Sequence, residues 1–262
     1  MDGFKTVWAF LGLVIISIMA SSSYGNGISV SCMMMYDEGG VPAVYESNEC
    51  LQWVLSTASL HNRTDDCQFA QLQGLREYQE DRISCDLHLR IPLPGKNGLE
   101  EVRLGVVAVF DGHGGEEASE MASNLLFNYF YLHYVFKMYK LMVQYKGDLT
   151  MAESKSLLLE VLKEALLSTI HDIDAKFTQE ALENNLVSGS TATIIVMFDG
   201  QILVANVGDS KALIFSDKIQ SGQDSEAVLS VIELTKDHHP DRDDERARIE
   251  VAGGSVIVRG GT

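Results

Sequence analysis

Downstream of about residue 65, the apolar positions change period several times, and each change marks an element. Short extended runs are predicted at Phe69–Arg76, Arg82–Leu89 and Val102–Phe110. Pro92-Leu93-Pro94-Gly95-Lys96-Asn97-Gly98 separates the last two and reads as a loop. After Gly115 the pattern becomes helical, from Glu116 to Tyr145. A second helix is announced by Thr150 and Glu153, the two ends of a capping box. Its apolar positions Leu157, Leu158, Val161, Leu162, Ala165, Leu166 and Ile173 keep helical spacing. The clearest β signal is the pair Ala192–Phe198 and Gln201–Val207, joined by Asp199-Gly200, a tight-hairpin dipeptide. Lys211–Ser216 and Val231–Leu234 extend the meander, and Arg242–Ala252 reads as a short charged helix. Strands, two helices, then strands again predict an α+β domain with helices on a largely antiparallel sheet.

Upstream the pattern is weaker. Gly25 to Arg63 shows no sustained period and reads as an extension, with Met33-Met34-Met35 as linker sequence and no metal site. The predicted division is residues 1–22 as a signal peptide or membrane anchor, 23–64 as an N-terminal extension, and 65–262 as the globular domain. Lys5 precedes an apolar run from Val7 to Ala20, with Ser21-Ser22-Ser23 after it. That run is short for a membrane span of about 20 residues, so a cleaved secretory signal is preferred to an uncleaved anchor, and a buried helix comes third. The sequon Asn62-Arg63-Thr64 agrees with a secretory or membrane location.

Composition narrows the class. The 262 residues, 46% hydrophobic and 22% charged, can build a sizeable core. With 20 Lys+Arg against 37 Asp+Glu, the formal net charge of −17 argues against nucleic acid and anionic lipid as main partners. An anionic substrate would have to be drawn in by local cations. The four cysteines, Cys32, Cys50, Cys67 and Cys85, contain no C-x-x-C spacing, so zinc is disfavoured. In a secretory protein they allow two disulfides in three connectivities, and in the cytosol they would be buried thiols.

Two segments carry candidate chemistry. Val106-Val107-Ala108-Val109-Phe110-Asp111-Gly112-His113-Gly114-Gly115 is a buried-strand pattern that ends on a carboxylate and bends on glycines. Arg76-Glu77-Tyr78-Gln79-Glu80-Asp81 adds two adjacent carboxylates, with an arginine four residues before Glu80. Gathered carboxylates repel, and hard cations such as Mg²⁺ or Mn²⁺ relieve that repulsion. An arginine beside them suits a phosphate oxyanion. Together they point to metal-assisted hydrolysis of a phosphate ester. No P-loop, Gly-x-Ser-x-Gly or dinucleotide fingerprint is present.

Three further stretches complete a pattern: Ser188-Gly189-Ser190-Thr191-Ala192, Asn206-Val207-Gly208-Asp209-Ser210-Lys211, and Leu234-Thr235-Lys236-Asp237-His238-His239-Pro240 leading to Arg248-Ile249-Glu250 and Ala252-Gly253-Gly254. In order and spacing, from Gln68 to the end, the chain resembles the metal-dependent protein phosphatases of the 2C type, in their plant form. The resemblance implies an antiparallel β-sandwich flanked by helix pairs. It also implies two Mg²⁺ or Mn²⁺ ions per complete site, phosphorylated proteins as substrates, and a monomer. By the same resemblance Glu80, Asp111 and the Gly112 carbonyl are metal ligands, Asp81 holds metal waters, and Asp209 belongs to a third, weaker ion. Arg76 would bind phosphate, and His113 would protonate the leaving serine or threonine oxygen. Lys211 departs from the family's usual arginine. His238 and His239 match a structural loop of the family, away from the chemistry.

The resemblance also implies later strands with Asp-Gly-x-x-Asp and Asp-Asn segments, which the sequence to Thr262 does not contain. The expectation is therefore a phosphatase chain of little activity through truncation. The competing readings are a non-catalytic phosphoprotein-binding module or regulatory fragment, and a hydrolase of small phosphate esters.

Overall fold

A computed structural model describes residues 27–58, 60, 67–95, 98–147, 150–219 and 227–257. The sequon, the predicted leader and the last five residues lie outside them. Among the described residues, no helix is long and apolar enough to cross a membrane.

The chain divides into two compact units. The first comprises residues 1–59, 92–102 and 128–172. Here the stretch without a period is helical: α1 spans Val30–Glu46, a 3₁₀ turn spans Asn48–Cys50, and α2 spans Leu51–Ser56. The missing period has a physical cause. α1 kinks at Gly39 and Gly40, the latter at φ +64°, with Pro42 just beyond, so the apolar stripe is broken mid-helix. Cys32, Tyr36, Val41 and Val44 are nonetheless buried, which corrects the reading of this stretch as an extension without core. Cys32 pairs with Cys50.

The same unit takes in the C-terminal part of α3 (Glu117–Gln144) and the N-terminal part of α4 (Met151–Asn184). Phe130, Tyr134, Phe136, Leu158 and Leu162 form its core. The predicted capping box is present: Glu153 N–H donates to Thr150 Oγ1 (3.2 Å), and Thr150 N–H donates to Glu153 Oε2 (2.8 Å). A buried polar chain also lies here. Tyr36 Oη is 3.0 Å from His133 Nδ1, and His133 Nε2 is 3.1 Å from Asp172 Oδ2, which also accepts Val41 N–H at 3.0 Å. The His133–Asp172 contact is close but bent away from hydrogen-bond geometry, so it acts as an electrostatic contact.

The second unit comprises residues 60–91, 103–127 and 173–262. Strands β1 (Arg82–Gly95) and β2 (Gly98–Phe110) are longer than the sequence predicts, and they absorb most of the Pro92–Gly98 loop. β5 (Ala192–Phe198) and β6 (Gln201–Val207) match the predicted hairpin, and the sheet order is β1-β2-β5-β6. β2 and β5 run antiparallel, with Val106 opposite Val196 and Ala108 opposite Ile194. Leu104, Val106, Ala108 and Phe110 are buried at every second position, the period that a half-buried strand requires. β3 (Gly112–His113) pairs with β4 (Gly189–Ser190), and β7 (Leu213–Ile219) pairs with β8 (Ala227–Glu233). The short charged helix is α5 (Asp243–Val251). Helices and antiparallel sheets make the molecule α+β, as expected.

One predicted strand fails. Residues 68–81 form no strand, and every residue from Gln68 to Tyr78 is exposed. Phe69, Leu72 and Leu75 are therefore all exposed and bury nothing among the described residues. Cys67, just before this stretch, is bonded to Cys85 on β1.

Candidate active site

All the candidate site residues lie in the second unit. β2 delivers Asp111 at its end, and the chain then turns through β3. Two backbone pairings hold that turn, Gly112 opposite Ser190 and His113 opposite Gly189. Asp111 N–H donates to Thr191 Oγ1 (3.1 Å), and Thr191 N–H donates back to the Asp111 carbonyl (2.9 Å). The Asp-Gly-His turn is thus clipped to the Ser-Gly-Ser-Thr segment some eighty residues later.

Glycine is required where these backbones meet. A Cβ on Gly112 would collide with the Glu80 carbonyl, and one on Gly189 would lie 2.6 Å from His113 Nε2. The open surface over Gly189 is what lets the imidazole lie there. The buried Ser119 hydroxyl donates to the Glu80 carbonyl, fixing the 80–81 segment against the start of α3.

Glu80 has both carboxylate oxygens engaged. Oε1 accepts Gly115 N–H (2.7 Å), and Oε2 lies 3.3 Å from Arg76 Nη1. Arg76 itself is largely exposed, so this ion pair is a weak constraint and the guanidinium is open to another anion. Asp111 sits in a contested field. Partial withdrawal from water raises its carboxyl pKa, as do the negative charges of Asp81 and Asp209, while Arg76 and His113 pull it down. Those four neighbours are the other charged or titratable residues proposed for the site, Glu80 excepted. The fold therefore gathers Arg76, Asp81, Asp111, His113 and Asp209 into one electrostatic neighbourhood.

The negative charges of Asp81 and Asp209 both act on the Asp111 carboxyl and repel it. Among the described residues, no three His, Cys, Asp or Glu side chains converge as a closed cage. Glu80 in particular is turned to Gly115 and Arg76.

Sequence reasoning missed several contributors. Arg82 donates to the carbonyls of Gln79 (2.6 Å) and Asp81 (3.0 Å) and pairs with Glu116 (2.6 Å), which braces the carboxylate segment from behind. Ser210 Oγ lies 2.8 Å from Thr191 Oγ1. His238 lies beside Asp209 and not away from it: its backbone N–H donates to the Gly208 carbonyl (2.8 Å), and its Nδ1 accepts Gly208 N–H (3.3 Å). Lys211, in place of arginine, pairs with Glu233 and Asp237.

Comparison with known proteins gives the family. The Protein phosphatase 2C family profile matches residues 65–261. The chain belongs to the protein phosphatase 2C family. It is similar to "Probable protein phosphatase 2C 51" of Arabidopsis thaliana, 38% identical over 321 residues, covering 94% of this chain and 61% of that protein. A relative from Oryza sativa subsp. japonica with a protein phosphatase 2C designation, number 76, is 38% identical over 330 residues, covering 95% of this chain and 66% of its own length. The chain thus spans just under two thirds of the length of these curated relatives. Among solved structures it is similar to the serine-threonine phosphatase 2C of Toxoplasma gondii, with TM-score 0.47 and 22% identity, covering 67% of this chain and 55% of that one.

Proposed function

We propose that the chain carries the site of a protein serine/threonine phosphatase acting on phosphoserine and phosphothreonine in proteins. The observation that carries this reading is the clip between the Asp111–His113 turn and the Gly189–Thr191 segment. The charges of Arg76, His113 and Asp209, all acting on Asp111, support the same reading. Asp111, Asp209, Asp81, Glu80 and the Gly112 carbonyl would hold Mg²⁺ or Mn²⁺. When bound, such an ion supplies charge neutralisation at phosphate and a nucleophile at neutral pH. Arg76 orients the phosphate through its planar fork. His113, exposed at the rim over Gly189, gives its proton to the departing serine or threonine oxygen.

A second reading is favoured by the engagement of Glu80 with Gly115 and Arg76 and by the absence of a closed carboxylate cage among the described residues. In that reading the chain binds phosphoproteins and turns them over weakly or not at all. We also propose a secretory or membrane location, because two disulfides are most at home in an oxidising compartment. The deciding test is Mn²⁺-dependent dephosphorylation of a phosphothreonine peptide, with Asp111→Asn as control. Turnover lost in the variant supports the enzyme, whereas peptide binding without turnover in either protein supports the binding module.

A further inference from the structure

The Thr191 side chain bonds both to the Asp111 backbone and to Ser210, the neighbour of Asp209. Its Oγ1 accepts Asp111 N–H at 3.1 Å and shares a 2.8 Å hydrogen bond with Ser210 Oγ, the residue after Asp209. Its backbone N–H closes the second bond to Asp111 at 2.9 Å. Its methyl has a separate task. Gly208 adopts φ +102°, and a Cβ there would lie 2.6 Å from Thr191 Cγ2, so the Asp209 turn is seated directly on that methyl. Thr191 is only 9% exposed, so neither group is free to seek water instead. The rest of the turn is held by Asn206 Nδ2, which donates to the Gly208 carbonyl at 3.1 Å, and by His238. Asp209 thus rides on a turn pinned by these neighbours, and Asp111 hangs from the same hydroxyl.

We propose that Thr191 is a positioning residue whose hydroxyl fixes the separation of Asp111 and Asp209, and through it the affinity of the site for a divalent cation. Asp111 and Asp209 repel each other across this contact. A hydroxyl bonded at once to the Asp111 backbone and to Ser210 opposes their drift apart when the site is empty. The inference rests on the reading that these carboxylates serve a divalent cation. Hydroxyl and methyl have separate tasks, so two substitutions separate them. Thr191→Val keeps the shape under Gly208 and deletes both side-chain hydrogen bonds. Thr191→Ser keeps the bonds and deletes the methyl.

The test uses the full chain, with Mn²⁺ alone as the probe, followed by electron paramagnetic resonance. Amide hydrogen exchange of the metal-free protein provides an independent readout. Thr191→Val is expected to weaken Mn²⁺ binding by about 10- to 100-fold, the scale for losing an outer partner that orients a ligand, while Thr191→Ser stays within about threefold of wild type. Without metal, exchange should rise in Thr191→Val at both 109–112 and 207–211, and Ser210→Ala should raise it at 207–211 alone. Equal Mn²⁺ affinity in wild type and Thr191→Val would overturn the proposal. So would a loss in Thr191→Ser as large as in Thr191→Val, or exchange that rises at neither stretch. If wild type binds no Mn²⁺, the cation reading of the site fails. The exchange arm then still decides whether one hydroxyl couples the two segments.

Discussion

The two units each hold a histidine among carboxylates, and the two arrangements have opposite characters. His133 is 2% exposed and stands between Tyr36 and Asp172 within hydrogen-bonding distance of both, while Asp172 is further satisfied by Val41 N–H. His113 is exposed, lies over a glycine, and acts on Asp111, whose proton affinity Asp81 and Asp209 raise. The first arrangement is buried and turned inward, and through Tyr36 and the Val41 N–H it ties α1 to its unit. The second leaves charge uncompensated at a surface, as a site that binds something from outside does. Residue type alone does not distinguish structural from chemical histidines. Burial does.

Substitutions should separate the two. Asp111→Asn is expected to abolish Mn²⁺-dependent turnover of a phosphothreonine peptide while leaving the unfolding midpoint in urea unchanged. His113→Asn should lower kcat by about 100-fold, the usual contribution of a general acid, with little change in KM and none in stability. Asp172→Asn should do the reverse. It should cost about 2 kcal/mol in urea unfolding, the scale for disturbing a buried hydrogen-bonded charge, and leave Mn²⁺ binding by the chain intact.

The smallest effect is in pH. Burial pushes the His133 pKa down, against the pull of Asp172, and Lys137 and His171 push it the same way. The unfolded chain therefore takes up this proton first as pH falls. The stability contributed by neutral His133 is complete above about pH 6.5, the ordinary histidine value, and is lost as pH drops below it. The slope for one proton is at most about 1.4 kcal/mol per pH unit. His133→Gln should flatten the stability profile between neutral and mildly acid pH.

Legibility in the sequence followed the range of the interactions. The β5–β6 hairpin was readable because Asp199 and Gly200 both adopt positive φ, at 49° and 75°, as that dipeptide predicts. The capping box was readable because its partners are three residues apart. α1 was not, since Gly39, Gly40 and Pro42 erase the period that would betray a buried helix. The run at 69–76 misled because Phe69, Leu72 and Leu75 are three residues apart, whereas a half-buried strand needs its apolar positions at every second residue. In the site, the motif residues stood out by type and spacing. The Asp111–Thr191 bond joins residues eighty positions apart, and Arg82 works by donating to carbonyls, which leave no mark in the sequence.

The Cys67–Cys85 bond has one more consequence. Gln68 to Tyr78 is an exposed stretch without regular structure, the kind of segment proteases cut first. It lies wholly inside the covalent ring that the bond closes. A single cut there leaves both fragments in one molecule, with Arg76 still attached to β1. On a gel the nicked chain should migrate as one species until thiol is added, and as two afterwards.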